Sequence, residues 1–385
     1  MRHLLLSAIV LFSSAEQATA QDLKLGLWKD GMDTKKAYYH SDEEVVWVVD
    51  GGKQFTVEGG RTTYFTAEVG GFVKLSMAKR TFGKFKIIRL ASGAEDFILK
   101  SVAPERREER YDQGLEITCK HGVLNLMNYI SDLDSYVAGV VESEAGKEQS
   151  LEFYKAQAVI SRTYALSNIR KHEHEGFNMC DQVHCQVYHG IARHNPEIIA
   201  AALETEGQVL ADSDLNLITA AFHSNCGGHT VNSEDVWSKA LPYLRAKADT
   251  FCLAGKHATW EASVLKSAWD DYLGEQSSSF HTQDEAALYS FSPSSRETLY
   301  PSQESDMELK KLRNKWQLKS TYFQIEDEGA RLKIKGRGFG HGVGLCQEGA
   351  MGRVNSGYSY QEVLQYYYKD VHLVHLSVLD FFREN

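Results

Sequence analysis

Long apolar runs are scarce in this chain. The one at the start, residues 4–12, is about nine residues long, less than half of the roughly twenty that a bilayer-spanning helix needs. Arg2 and His3 precede it, and Ala18-Thr19-Ala20 follows as the small-x-small pattern that a signal peptidase reads. The expectation is therefore a cleaved export signal over residues 1–20, with the mature chain beginning at Gln21, rather than a short membrane anchor. No lipobox cysteine follows, so no lipid anchor is expected, and no other segment is apolar enough to span a membrane. This points to an exported protein of the periplasm, the cell wall or the extracellular space.

An excess of basic residues is also lacking. Lys and Arg total 42 against 52 Asp and Glu, for a formal charge of −10, which argues against nucleic acid or anionic lipid as the main partner. No repeat of fixed period is visible. The glycine-rich run GRGFGHGVGLCQEGA near the C-terminus lacks the lysine followed by Ser or Thr of a phosphate loop.

What the 385 residues do contain is 43% hydrophobic content, enough to bury one large core or two modest ones. The six cysteines, Cys119, Cys180, Cys185, Cys226, Cys252 and Cys346, are compatible with disulfides in an exported chain or with metal ligands. Residues 22–104 alternate in the strand manner through VVWVVD, KQFTVEGG, RTTYFTAEV, KFKIIRL and DFILKSV, so a strand-rich region is expected over 21–110. The charged APERREERYDQG reads as a surface connector. LEITCKHGVLNLMNYI reads as a hairpin, turning at Gly122, that leads into a second region over 111–385.

From 150 to 170 the period becomes helical, with Leu151, Tyr154, Ala158, Ala165 and Ile169 on one stripe. Shorter helices are expected over 197–207 and 359–368, with two strands and a polar turn within 208–225. The Ser-, Gln- and acid-rich stretch 274–306 reads as a mobile insertion or surface loop. The fold class is α+β.

Candidate chemistry concentrates in four places. Glu144, in VESEAGK, reads as part of a turn just ahead of the central helix. A glutamate kept protonated there could act as a general acid, although a helix N-terminus favours the anion; the alternative is a helix-capping carboxylate like Glu142 or Glu148. Arg162 lies near the apolar stripe, so it needs a carboxylate or a substrate as partner; Gln157 is ambiguous in the same way. In HEHEGFNMCDQVHCQVY, Cys180 and Cys185 have the spacing of half a zinc site or of a disulfide. The loops FHSNCGGHTVNSEDVW and GRGFGHGVGLCQEGA offer Ser224, His223, His229, His341 and Gln347 as sugar contacts, with Cys226 and Cys346 as a conceivable pair. Asp181, Glu234 and Asp235 are available as a second carboxylate, and Cys185 with a histidine would be the core of a thiol hydrolase.

The run DSYVAGVVESEAGKEQSLEFYKAQAVISRTYALSNIRKHEHEGFNMCDQVHCQVY, residues 134–188, resembles the SpoIID/LytB family, and GRGFGHGVGLCQEGA resembles the same family's glycine-rich signature. The resemblance covers about 111–368. It implies a SpoIID-like domain acting on peptidoglycan as a lytic transglycosylase, cleaving the MurNAc–GlcNAc linkage of strands stripped of stem peptides. The catalytic acid would be Glu144, five residues beyond Gly139. It further implies a structural zinc held by His174, Cys180, His184 and Cys185, with no cofactor needed for catalysis. In the family's amidase-enhancer branch, the implied role is that of a non-catalytic wall binder partnering an amidase. Cys346 and Glu348 depart from the serine and tyrosine common in the family, which puts a hydroxyl role there in doubt.

Overall fold

The computed structural model describes residues 23–92, 95–276, 288–301 and 307–379. The expected export signal lies outside the described residues, as do parts of the 274–306 stretch. Among the described residues, no helix is long and apolar enough to cross a membrane.

The first hundred or so described residues form two facing antiparallel sheets. Strands Leu23–Leu27, Val123–Ile130, Gly114–Lys120, Ile87–Ser92, Val45–Val49 and Gln54–Val57 are neighbours in one sheet, whose edge is completed by Met179–Cys180. The other runs Glu109–Asp112, Asp96–Ala103, Lys36–Ser41, Arg61–Glu68, Phe72–Met77 and Arg80–Phe85. Alternation puts Val45, Trp47 and Val49 of the first sheet inward, along with Ala37 and Tyr39 of the second, as the two-residue period of a strand requires. Trp47 meets Tyr39 at 4.9 Å and Phe65 at 5.1 Å between ring centroids, joining the sheets. The hairpin turns at His121 and Gly122, both at positive φ (51° and 72°), the geometry that matches strand twist.

The strand-rich part therefore continues past residue 110 to Ile130. The charged connector itself contains strand Glu109–Asp112, paired with Asp96–Leu99.

Three helices follow: α1 (Leu133–Ala145), α2 (Leu151–Ser167) and α3 (Pro196–Glu204). Asp132, Ser150 and Asn195 cap their N-termini by accepting backbone N–H bonds. The VESEAGK segment is not a turn before the central helix: through Ala145 it is the end of α1, whose Tyr136, Val137, Val140 and Val141 are buried. Its charged end concealed that apolar stripe. Helix α2 is buried from Phe153 nearly continuously to Ala165, wider than the single stripe expected, because α1, α3 and later elements pack around it. One hydrophobic core runs from the sheets through these helices to Tyr368.

A second core, including Trp260, Trp269, Tyr300, Leu312 and Ile334, sits on the sheet Thr259–Leu265, Arg331–Arg337 and Phe323–Asp327. It is accompanied by α4 (Lys266–Gln276) and α5 (Leu309–Lys315). Leu288, Phe291 and Tyr300, within the stretch read as a mobile insertion, are buried in this core. The glycine-rich run, read as loop throughout, ends in strand Leu345–Cys346 and then α6 (Gln347–Asn355), with Cys346 as N-cap. Helix α7 (Tyr360–Tyr367) starts with a capping box at Ser359 and Glu362.

Candidate active site and metal clusters

Glu144 occupies the last turn of α1. Burial pushes its carboxyl above the usual range; the Val187 N–H, donating to Oε1 at 2.8 Å, and the nearby His189 pull it part of the way back. Its place at the carbonyl end of a helix adds to the upward push, because the dipole there disfavours an anion, the reverse of the helix-start effect expected from sequence. The loop supplying Val187 lies tightly on α1: a Cβ on Gly139 would come within 2.3 Å of the Gly190 carbonyl and 2.5 Å of the Tyr188 ring. The glycine of YVAGVV thus admits the segment that holds Glu144.

A second carboxylate stands on the same loop's other side. Glu109 is pushed up by burial, yet His189, Tyr111, Trp28 and Arg107 all hydrogen-bond it and hold it down at about 2. His189 Nδ1 lies 3.3 Å from Glu109, and Tyr111 Oη donates to it at 2.6 Å. A cleft of 310 Å³ lined by Arg107, Glu109, Glu142, Ser143 and His189, among others, opens here. Sequence reading missed Glu109, since a carboxylate amid ERREER looks solvated; the neighbouring Tyr111 was the available signal that this strand turns inward.

Of the other carboxylates, Asp181 is buried with its pKa raised by that burial, and accepts the backbone N–H of Trp28 at 2.5 Å and of Lys29 at 3.1 Å. Glu234 pairs with Arg245. Asp235 accepts from Asn232. Asp181 is thus occupied within the protein, whereas Glu234 and Asp235 are exposed.

Four donor groups, His172, Cys180, His184 and Cys185, lie within 4.8 Å of one another. The expected His174 is not among them: its side chain is 77% exposed. It falls in a short 3-10 turn, Glu173–Glu175, that points it outward while His172, just before, faces in. His172 Nε2 lies 3.3 Å from Cys185 Sγ, and its Nδ1 is 2.5 Å from Glu175. The Cys180 thiol, hydrogen-bonded to Cys185, is the main cause that holds Cys185 down at about 6. A Cys–His–carboxylate line could suit a nucleophile, but Cys180 and His184 converge on the same point. Two nitrogens and two sulfurs so gathered, with a carboxylate behind one imidazole, have the donor chemistry of a closed zinc site.

Arg162 is fully buried. Its Nε and Nη2 donate to Asp134 at 2.9 and 2.5 Å, and Nη1 and Nη2 to the carbonyls of Gln208 and Ala202. These bonds tie α2 to α1 and α3 and leave the guanidinium facing protein rather than a cleft. Gln157 and Gln347 meet at 3.3 Å, both buried.

Ser224 Oγ and Glu348 Oε1 both approach His257 Nδ1, at 3.3 and 2.6 Å. A hydrolytic triad needs the carboxylate and the hydroxyl on opposite ring nitrogens, so this trio is not one. His341 accepts from Val343 N–H and is held down at about 4 by burial, its ring 5.4 Å from that of buried His223; His229 is exposed. Gly344, at φ +71°, lets this loop pass where a Cβ would lie 2.1 Å from the Ala221 carbonyl. Among the described residues, no hydrogen bond or ring contact links Glu144 to these loops.

The family model for stage II sporulation protein, SpoIID, matches residues 120–211, the stretch from the β-hairpin through α1, the His172–Cys185 donor cluster and α3. The chain is 29% identical over 256 residues to an uncharacterized protein of Brachyspira hyodysenteriae, covering 66% of this chain and 68% of that one. It is 29% identical over 282 residues to the amidase enhancer of Bacillus subtilis, covering 60% of this chain but only 39% of that protein's length. With the stage II sporulation protein D of Bacillus amyloliquefaciens it shares 26% over 322 residues, 80% of this chain and 88% of the relative. On the family model and these relatives together, residues 120–211 match the SpoIID family and the chain is similar to proteins that carry its name.

Proposed function

We propose that this protein is an exported lytic transglycosylase that cleaves MurNAc–GlcNAc linkages in peptidoglycan strands stripped of stem peptides, with Glu144 as its general acid and base. The observation that carries the reading is the environment of Glu144: burial favours its protonated form, and a single backbone donor fixes the carboxyl at the end of α1.

A protonated Glu144 donates to the glycosidic oxygen as the bond from C1 breaks. The carboxylate so formed takes the proton of the same sugar's 6-hydroxyl as that oxygen bonds to C1. The product is a 1,6-anhydro end, the acid is restored, and no water is consumed. This needs one carboxylate, whereas hydrolysis ordinarily uses two. Asp181 and Glu109 are each held by several donors within the protein and Glu234 by Arg245, which favours the one-carboxylate route.

When bound, a zinc at His172, Cys180, His184 and Cys185 would act as a structural crosslink, since four protein donors leave no open position. The loop it would brace carries Val187 to Glu144. A second reading, a non-catalytic wall binder that stimulates an amidase, is favoured by the relative named amidase enhancer.

Mass analysis of products from peptide-free glycan strands, run beside Glu144→Gln, separates the two. Anhydro-ended fragments made by the wild type and lost in the variant are expected. Strands bound intact by both proteins would overturn the enzymatic reading in favour of the binder.

A further inference from the structure

A second cluster of donors lies apart from the first. Cys226, Asp249, Cys252 and Cys346 are all buried, with one ligand atom from each within 4.8 Å of the others. Cys226 Sγ is 3.4 Å from Cys252 Sγ and 3.6 Å from Asp249 Oδ2. The chain brings them together from three places: the SNCGG loop, Asp249 and Cys252 around the 3-10 turn Thr250–Cys252, and the N-cap of α6. Sulfur atoms bound tetrahedrally at about 2.3 Å from one ion stand somewhat under 4 Å apart, so this spacing needs little adjustment.

The surroundings suit a thiolate-bound cation. Cys346 Sγ accepts the backbone N–H groups of Cys226 at 3.2 Å and of Gly349 at 3.3 Å, bonds that stabilise sulfur carrying negative charge, at a helix N-terminus that favours it. Asp249 is 0% exposed. Its Oδ2 accepts from Tyr367 at 2.7 Å, while Oδ1 has no hydrogen-bond partner, though the Arg353 guanidinium stands 3.9 Å away. A buried carboxylate oxygen without a donor is costly. The oxygen facing Cys226 is Oδ2, and a cation held through it would offset the charge of this buried carboxylate, with Tyr367 and Arg353 as outer supports.

We propose that Cys226, Cys252, Cys346 and Asp249 form a second, structural zinc site that staples the two glycine-rich loops to α6. Soft thiolate donors select zinc over magnesium or calcium, and four protein ligands close the site. Binding would expel the three thiol protons. A Cys226–Cys252 disulfide is the competing outcome; it would leave Cys346 unpaired and the buried Asp249 Oδ2 facing no ion.

The test is metal content of the full chain, purified without chelator after growth with added zinc. Cys252→Ser is expected to lose one zinc per chain relative to wild type, while His172→Ala, in the other cluster, leaves this one in place. An unchanged zinc content in Cys252→Ser would overturn the proposal. Because that variant could fail to fold, the wild type is also alkylated in denaturant and mapped. Recovery of Cys226, Cys252 and Cys346 all as free thiols, with zinc released only on their modification, supports the site. A Cys226–Cys252 linked peptide, or free thiols with no zinc attributable to them, refutes it.

Discussion

The carboxyl of Glu144 and the backbone amide of Val187 meet at 2.8 Å, joining the last turn of α1 to the loop that leaves the Cys180–Cys185 cluster. That loop also carries His189, which touches Glu109. The proposed acid, its electrostatic neighbours and the first donor cluster are thus parts of one assembly, and perturbing any of them should be felt at Glu144.

Glu144 should set the alkaline limb of glycan cleavage. Its pKa is raised by burial and lowered by Val187 and His189, so activity should fall as pH climbs through a value above that of an ordinary glutamate. His189→Gln removes one lowering influence and should move this limb to higher pH. Glu144→Gln should reduce the rate about 10²–10⁴-fold. The stability linkage has a definite sign: protonation of Glu144 favours the fold below the unfolded-state pKa, and that contribution is lost as pH rises through the raised folded value. Glu144→Gln should therefore gain on wild type in urea midpoint across that window, and a constant difference from pH 4 to 8 would contradict the buried-acid assignment.

Glu109 runs the other way. Held at about 2 by its donors against burial, its carboxylate stabilises the fold above the unfolded glutamate pKa, and this is lost as pH falls toward 2. Glu109→Gln should cost up to about 3 kcal/mol near neutrality, shrinking at low pH, as read by chemical denaturation at several pH values.

Breaking the Arg162–Asp134 pair should unfold rather than inactivate. Arg162→Met leaves the partly buried Asp134 without its cation and should cost about 3–5 kcal/mol, seen as a large drop in thermal midpoint. A variant of normal stability with weakened glycan binding would instead point to substrate contact.

Metal content should distinguish two histidines two positions apart. His172→Ala is expected to lose the zinc proposed for the first cluster and lower stability, whereas His174→Ala, altering an exposed side chain, should match wild type by elemental analysis.

Strand alternation from Leu23 onward, the His121-Gly122 hairpin, the helix starting at Ser150 and the one after Ser359 were all legible in the sequence, because local period and capping chemistry are local properties. Helix α1 was hidden because its charged end masks an apolar face that becomes visible only when packed. Glu109 was hidden because burial of a charged residue depends on donors as distant in sequence as Trp28 and His189.

What the sequence by itself determined is the resemblance to one family, through two distant motifs, and the identity of the residues able to do acid–base or metal chemistry. Which ones come together was decided by tertiary structure. A one-turn twist at Glu173–Glu175 exchanges His174 for His172, and long-range packing brings Cys252 and Asp249 to Cys226 and Cys346. Side-chain chemistry is written residue by residue, but a coordination shell or a shifted pKa belongs to a volume of space, and only the folded chain fills it.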